Sequence, residues 1–270
     1  MKWTGNIRKM RTELKDTVQY TLPLYDVLEP SELISMNEFI GHNLKLSFEH
    51  QINCVVTGKR IKKAYGDGMS YDAFMSSPMA SPSIIRPELS RIHEGIALRD
   101  KEWEEKHHLT PHIVYLSLTD QVKVGVTRET NVPYRWIDQG ATQAIVLAEV
   151  PYRQLAGVIE VALKEYRADK TNWRKMLRNE HTDSNLLDEK DELIEYLGED
   201  LQQFISDDDD ITEINYPVMA YPEKVTSMKL DKCPLIEKKL TGIKGQYLIF
   251  EDGHVMNMRS HSGYKLTLEV

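Results

Sequence analysis

The residues best suited to chemistry lie mid-chain, in "IVYLSLTDQVKVGVTRE", "VPYRWIDQGA" and "PYRQLAGVIEVALKEYR". The first stretch reads as a β-hairpin. With Thr119, Asp120 and Gln121 as its loop, Leu118 pairs with Val122, Leu116 with Val124 and Val114 with Val126, so all six apolar side chains share one face. A one-residue slip would invert every side chain, which makes this register strongly specified. The opposite face then carries Tyr115 across from Gly125 and Ser117 across from Lys123. Gly125 leaves a gap beside the tyrosine, either to receive its ring or to let a ligand approach the backbone. A lysine on that face can hold a phosphate as a point charge.

Downstream, Pro133 starts a short helix that presents Arg135 and Trp136 and ends at Gly140. A strand, "AIVLAEV", follows, and then a helix is expected from Pro151 to Leu177 with Leu155, Val158, Ile159, Ala162, Leu163 and Tyr166 as its apolar stripe. Glu160 falls off that stripe, on a flank shared with Arg153 and Arg167. A single carboxylate in a cationic row fits a metal ligand beside phosphate. It is also what a surface ion pair with Lys164, four residues on, looks like, and spacing alone favours the ion pair. Gly125, Arg128, Arg153 and Arg167 are candidate substrate contacts.

These residues need a frame to position them, and the chain supplies an α+β pattern. Its 270 residues, 41% hydrophobic and 28% charged, suffice for two or three compact units. We expect a β-rich part over 1–75, a linker over 76–107, an α/β domain over 108–180, an acidic helical segment over 181–212 and a second β-rich part over 213–270. The two β-rich ends are either two small sheets or one shared barrel, with turns at Thr57-Gly58, Asp252-Gly253 and Ser262-Gly263. The linker, "DAFMSSPMASPSIIRPELSRIH", is rich in Ser, Pro and Met and has no period. No signal-peptide core or membrane-spanning run is visible, so a cytoplasmic protein without a membrane partner is expected. Two cysteines, Cys54 and Cys233, are too few for a disulfide framework.

A net charge of -8 would ordinarily argue against nucleic acid, but the acidity is local. From His181 to Glu213 there are thirteen acidic residues against Lys190 alone, leaving +4 on the rest of the chain. Apolar residues from Leu186 to Phe204 recur at helical spacing there, so the segment reads as an amphipathic helix with a solvated acidic face. A Ca²⁺ site at Asp207 to Asp210, without EF-hand spacing, and a nucleic-acid mimic are the other readings.

Three stretches carry a resemblance: "HIVYLSLTDQVKVGVTRETNVPYRWIDQGA", "GVIEVALKEYRADKTNWRKML" and "GIKGQYLIFEDGHVMNMRSHSGY" resemble the prokaryotic family called domain of unknown function 2797 over nearly the whole chain. The central part also resembles the GIY-YIG nuclease superfamily, a small antiparallel sheet with flanking helices. That second resemblance implies a metal-dependent endonuclease, with Val114-Tyr115 where the first tripeptide ends and Lys123-Val124-Gly125 where the second would stand. It implies Arg135 as the first-helix arginine, Glu160 as the Mg²⁺ ligand and Asn172 as the distal asparagine. Lys123 departs from the second tyrosine, which would position or deprotonate the attacking water. The first resemblance also implies a zinc ribbon, but Thr57, Ser70, Ala73, Ala80, Ser83, Ser90 and Ala97 occupy the positions where its cysteines would fall. Neither Ser nor Ala is a zinc donor at neutral pH, so no zinc is expected.

His107, His108 and His112 crowd together without the HExxH arrangement, and read as a loop cluster or, less simply, a metal site. No nucleophile elbow, phosphate loop or dinucleotide fingerprint is present. Two functions follow. One is a Mg²⁺-dependent phosphodiesterase acting on DNA or RNA, with Tyr115, Lys123, Arg135, Glu160 and Asn172 at its site. The other is a nucleic-acid or protein interaction module without turnover. For either, Tyr115, Lys123, Gly125, Arg135, Glu160 and Asn172 are expected to line one concave surface, opposite the apolar face of the hairpin.

Overall fold

The computed structural model describes residues 1–167 and 170–270. The architecture is mixed α+β. In chain order the strands are β1 (Lys2–Ile7), β2 (Arg11–Glu13), β3 (Gln19–Asp26), β4 (Glu29–Ser35), β5 (Asn43–Asn53), β6 (Arg60–Ile61), β7 (His112–Leu118) and β8 (Val122–Arg128). They continue with β9 (Gln143–Val150), β10 (Thr212–Glu213), β11 (Thr226–Met228), β12 (Leu235–Lys244), β13 (Tyr247–Phe250), β14 (His254–Asn257) and β15 (Tyr264–Glu269). The helices are α1 (Tyr71–Ser76), α2 (Pro82–Ile85), α3 (Lys101–His108), α4 (Tyr134–Asp138), α5 (Arg153–Leu163), α6 (Trp173–Leu177), α7 (Leu186–Ile194) and α8 (Glu199–Gln202).

The chain divides into two compact units, one made of 1–75 with 215–270 and the other of 76–214. In the first, the two β-rich ends of the chain share a single sheet ordered β11-β14-β13-β12-β5-β15-β1-β3-β2, with β4 added on β3 and β6 on β5. The join is β1 against β15, pairing Lys2 with Glu269 through Asn6 with Lys265.

The second unit is built on a four-stranded sheet ordered β10-β9-β7-β8. The β7–β8 register is Val114 to Val126, Tyr115 to Gly125, Leu116 to Val124, Ser117 to Lys123 and Leu118 to Val122, around a Thr119-Asp120-Gln121 loop. Strict alternation of β-branched and leucine residues specifies that pairing, since any slip would bury the wrong face. Val114, Leu116, Leu118, Val122 and Val124 form one core with Ile159 and Leu163 of α5 and Leu186 and Leu193 of α7.

Two local expectations are corrected. The helix expected from Pro151 to Leu177 is two, α5 and α6, because Asn172 accepts from the amides of Arg174 and Lys175 and so starts a new helix as its N-cap. The face of α5 is also shifted. Ala156, Gly157, Ile159 and Leu163 are buried, whereas Tyr166 lies beyond the helix, exposed, with its ring 3.8 Å from that of Tyr196. The linker is ordered, in short turns against α5: a Cβ added to Gly157 would lie 2.2 Å from the amide nitrogen of Glu88. Only a glycine lets the Pro87–Leu89 turn come that close to a helix backbone.

The acidic segment follows the amphipathic reading, although as α7, α8 and β10 rather than one helix. Leu186, Leu193 and Leu197 are buried. Lys190 is buried under the aspartate run, donating to the carbonyls of Ser206 (2.8 Å) and Asp208 (2.9 Å) and to Asp209 Oδ1 (2.8 Å). No helix among the described residues is long and apolar enough to cross a membrane.

Candidate functional site

Tyr115 sits on the central strand β7 and faces away from the apolar core. Gly125 opposite it receives the ring: a Cβ there would stand 2.6 Å from both Cζ and Oη of Tyr115. The phenol therefore crosses β8, the edge strand of the sheet. Its hydroxyl donates to Gln139 Oε1 at 3.1 Å, just past the end of α4, and the centroids of the Tyr115 and Trp136 rings are 6.0 Å apart. Burial raises its pKa, against the opposing pull of the Arg135 guanidinium, so the hydroxyl keeps its proton at neutral pH.

The polar face of the hairpin is as enclosed as the apolar one. Tyr115 and Ser117 are fully buried, and Lys123 is 7% exposed. Glu160 reaches the same region from α5 with its side chain 14% exposed. Burial raises its pKa, Lys164 lowers it, and Glu88, Arg153 and Lys123 act in turn, while Glu160 is itself felt at Tyr115. Its Oε2 is buried without a hydrogen bond, and Lys164 Nζ is 3.8 Å away, beyond hydrogen-bond reach. Glu160 therefore makes the expected i,i+4 ion pair with Lys164, but from a largely buried position and with Oε2 lacking a hydrogen bond.

Arg153, at the first turn of α5, donates through Nε to the Ser83 carbonyl (2.8 Å) and through Nη2 to that of Ile84 (2.9 Å), tying the linker to the helix. Burial brings it down to about 10, with Glu160 opposing and Arg135 and Arg128 adding to the fall. The structure thus brings Tyr115, Lys123, Gly125, Arg128, Arg135, Arg153 and Glu160 into one electrostatic neighbourhood. Tyr115, Lys123, Gly125 and Arg153 are buried there, and Arg128, Arg135 and Glu160 are partly exposed.

Two expected members are engaged elsewhere. The Asn172 carboxamide caps α6, and the Asn172 backbone N–H donates to Asp120 Oδ1 (2.9 Å) at the hairpin loop. Arg167 lies beyond the end of α5 and is bound to Glu189 and, at 2.7 Å, Glu192 of the acidic segment. One member was missed. Glu88 has a buried Oε2 without a hydrogen bond and acts on Glu160 and Arg153. Gly157, a glycine inside a helical pattern, was the available signal for the close backbone approach that brings Glu88 there.

The histidines form their own group. His112 is fully buried and donates from Nδ1 to the Thr110 carbonyl (2.7 Å), leaving Nε2 as a bare acceptor without a partner. His108 Nδ1 lies 3.4 Å from the hydroxyl of buried Ser90. Burial brings His108 to about 3 and His112 to about 4, helped by Arg153 and Arg128, so both are neutral at physiological pH. No three histidine, cysteine, aspartate or glutamate side chains converge to hold a metal among the described residues.

A family described as Protein of unknown function (DUF2797) matches residues 41–266. No curated protein and no solved structure matches the chain.

Proposed function

Because the chain belongs to the DUF2797 family of proteins of unknown function, we propose from the site itself that the 76–214 unit binds nucleic acid and hydrolyses its phosphodiester bonds with a divalent cation. The observation that carries the reading is Glu160 Oε2: a buried carboxylate oxygen with no hydrogen bond, beside Lys123 and Arg153 and within electrostatic reach of Tyr115. Lys164 offsets its charge from 3.8 Å, but an oxygen without a hydrogen bond still costs stability unless a further donor or cation completes it. A hard cation fits that donor, and Mg²⁺ there would be held by Glu160 and would supply Lewis-acid polarisation of a phosphoryl oxygen. Lys123 and Arg135 meet the charge that builds on the phosphate. Tyr115, still protonated, acts by hydrogen bonding and orients rather than deprotonates. The likeness of hairpin, first-helix arginine and second-helix glutamate to the GIY-YIG superfamily supports the same reading.

A second reading, binding without turnover, is favoured by one observation: the Tyr115 hydroxyl is enclosed and already bonded to Gln139, and Lys123 stands where that superfamily has its second tyrosine. The test is a Mg²⁺- or Mn²⁺-dependent nicking assay across duplex, branched and single-stranded DNA and RNA. Hydrolysis predicts cleavage that Glu160→Gln abolishes and Arg135→Ala slows by about 10²- to 10³-fold. No cleavage, with binding weakened by Lys123→Ala and Arg135→Ala, selects the second reading.

A further inference from the structure

The 1–75 and 215–270 unit holds a cleft of about 580 Å³, lined by Phe48, His50 and Ile52 of β5, Arg60 and Lys62 at β6, and Asp231. Its volume lies in the range of small-ligand sites, about 300–1,000 Å³. One wall is a β-bulge. Tyr264 faces Ile52 and Leu266 faces Phe48, so three residues of β5 stand against one of β15. The middle residue of the three, His50, takes a left-handed φ of 51°, which non-glycine residues adopt rarely. Bulges of this kind re-aim side chains beside functional sites. Here the imidazole of His50 stands 5.1 Å from the Phe48 ring, tilted by 47° to it, and the Tyr264 ring is 5.0 Å from Phe48.

The neighbouring strand β6, paired to β5, is cationic. "TGKRIKKAY" places Lys59, Arg60, Lys62 and Lys63 within five residues, with no acidic residue among them. Arg60 donates to the His50 carbonyl at 3.3 Å, which fixes it beside the imidazole, and Lys63 lies over the Tyr65 ring. Among the described residues no carboxylate pairs with Lys59, Arg60 or Lys62, and all three are exposed. The one carboxylate of the lining, Asp231, accepts the Tyr264 hydroxyl at 2.9 Å.

We propose that this cleft binds single-stranded nucleic acid, a base stacking on Phe48 and His50 while its flanking phosphates meet Arg60 and Lys62. Aromatic faces take any unpaired base, and adjacent unneutralised cations take the backbone, the two components of single-strand binding sites. A duplex keeps its base faces covered and cannot use the rings. The basic run continues past the cleft through Lys59 and Lys63, which suits a polymer better than a lone nucleotide. This inference uses residues of the sheet unit alone and stands apart from hydrolysis at Glu160.

Fluorescence anisotropy of short labelled oligo(dT) and oligo(U) with the full chain in EDTA, where metal-dependent cleavage cannot intervene, tests it. Phe48→Ala should weaken binding about tenfold or more through lost stacking. Because Phe48 is half-buried, the exposed pair Arg60→Ala with Lys62→Ala serves as the variant that keeps the fold. It should weaken binding and reduce the slope of log K against log salt by about 1.4, for two phosphate contacts on a single strand. His50→Gly keeps the left-handed backbone, loses the ring and should weaken binding about fivefold. Absent binding by the parent, unchanged binding by the Arg60/Lys62 variant, or equal competition by duplex would overturn the proposal. Displacement of the oligomer by free ATP at comparable concentration would also overturn it, by giving the cleft to a mononucleotide. Cleavage at an unchanged rate in variants that no longer bind through this cleft would leave the hydrolysis reading intact.

Discussion

The two faces of the β7–β8 hairpin are both buried, and for different reasons. On one, Val114, Leu116, Val124 and their neighbours meet the apolar sides of α5 and α7, and nothing there needs a partner other than close packing. On the other, Tyr115, Ser117 and Lys123 are enclosed beside Trp136, and three polar atoms of this region, Ser117 Oγ, Trp136 Nε1 and Glu160 Oε2, are buried without a hydrogen bond. A fold selected for stability alone would fill the second face as it fills the first, since each unsatisfied polar group costs about 1–3 kcal/mol. Retaining polar groups there is what a site under functional constraint looks like.

That contrast makes opposite predictions for the two faces. Leu116→Ala on the apolar face should cost about 3 kcal/mol in denaturant unfolding, as a cavity in a dense core usually does, and affect any activity only through the folded fraction. Gly125→Ala comes next. The new Cβ would collide with the Tyr115 ring, so we expect about 2 kcal/mol of destabilisation from overpacking together with loss of cleavage or phosphate binding in the molecules that remain folded. If Gly125→Ala keeps full function, the seating of the tyrosine is only structural.

The two faces also differ in how readable they are. Register, loop and face could be read because the period of two over Ile113 to Thr127 leaves one pairing that gathers the valines and leucines. The surroundings of Glu160 could not. They depend on Pro87 and Glu88, some seventy residues earlier in a Ser/Pro/Met-rich stretch whose lack of period hides a turn packed on Gly157. Arg167 was placed beside Glu160 by extending helical spacing past Leu163, where the helix stops, and its real partners Glu189 and Glu192 lie in a segment that spacing could not connect to it. Local periodicity reports pairing within an element; charges brought together by tertiary packing leave almost no local trace.

Glu160→Gln sharpens the contrast at smaller amplitude. Burial raises the folded pKa of Glu160 above its unfolded value. Its contribution to stability is therefore fully present below the ordinary carboxylate pKa of about 4.3 and is lost as pH rises through the raised value, where the carboxylate must ionise in a buried setting. The amide does not titrate. The variant should match the parent at low pH and be the more stable of the two near neutrality, while losing any metal-dependent cleavage. A variant less stable than the parent at pH 7 would show that the carboxylate is held by Lys164 and the arginines for the sake of the fold.

The smallest effect isolates the contrast best, because it compares neighbours in sequence. Ser117 follows Leu116 on β7 and points the other way, with its hydroxyl buried and unbonded. Ser117→Ala removes a polar atom that makes no hydrogen bond and leaves a cavity of a single oxygen, so the desolvation relieved should slightly outweigh the van der Waals attraction forfeited around it. We expect stability unchanged or raised by up to about 1 kcal/mol, opposite in sign to the loss at Leu116 one residue away. Urea midpoints of the two variants at constant m decide it. A loss above about 1 kcal/mol for Ser117→Ala would mean that an ordered water or a side chain satisfies the hydroxyl, and the polar face would then be an ordinary bonded core with no excess of unmet groups for a ligand to complete.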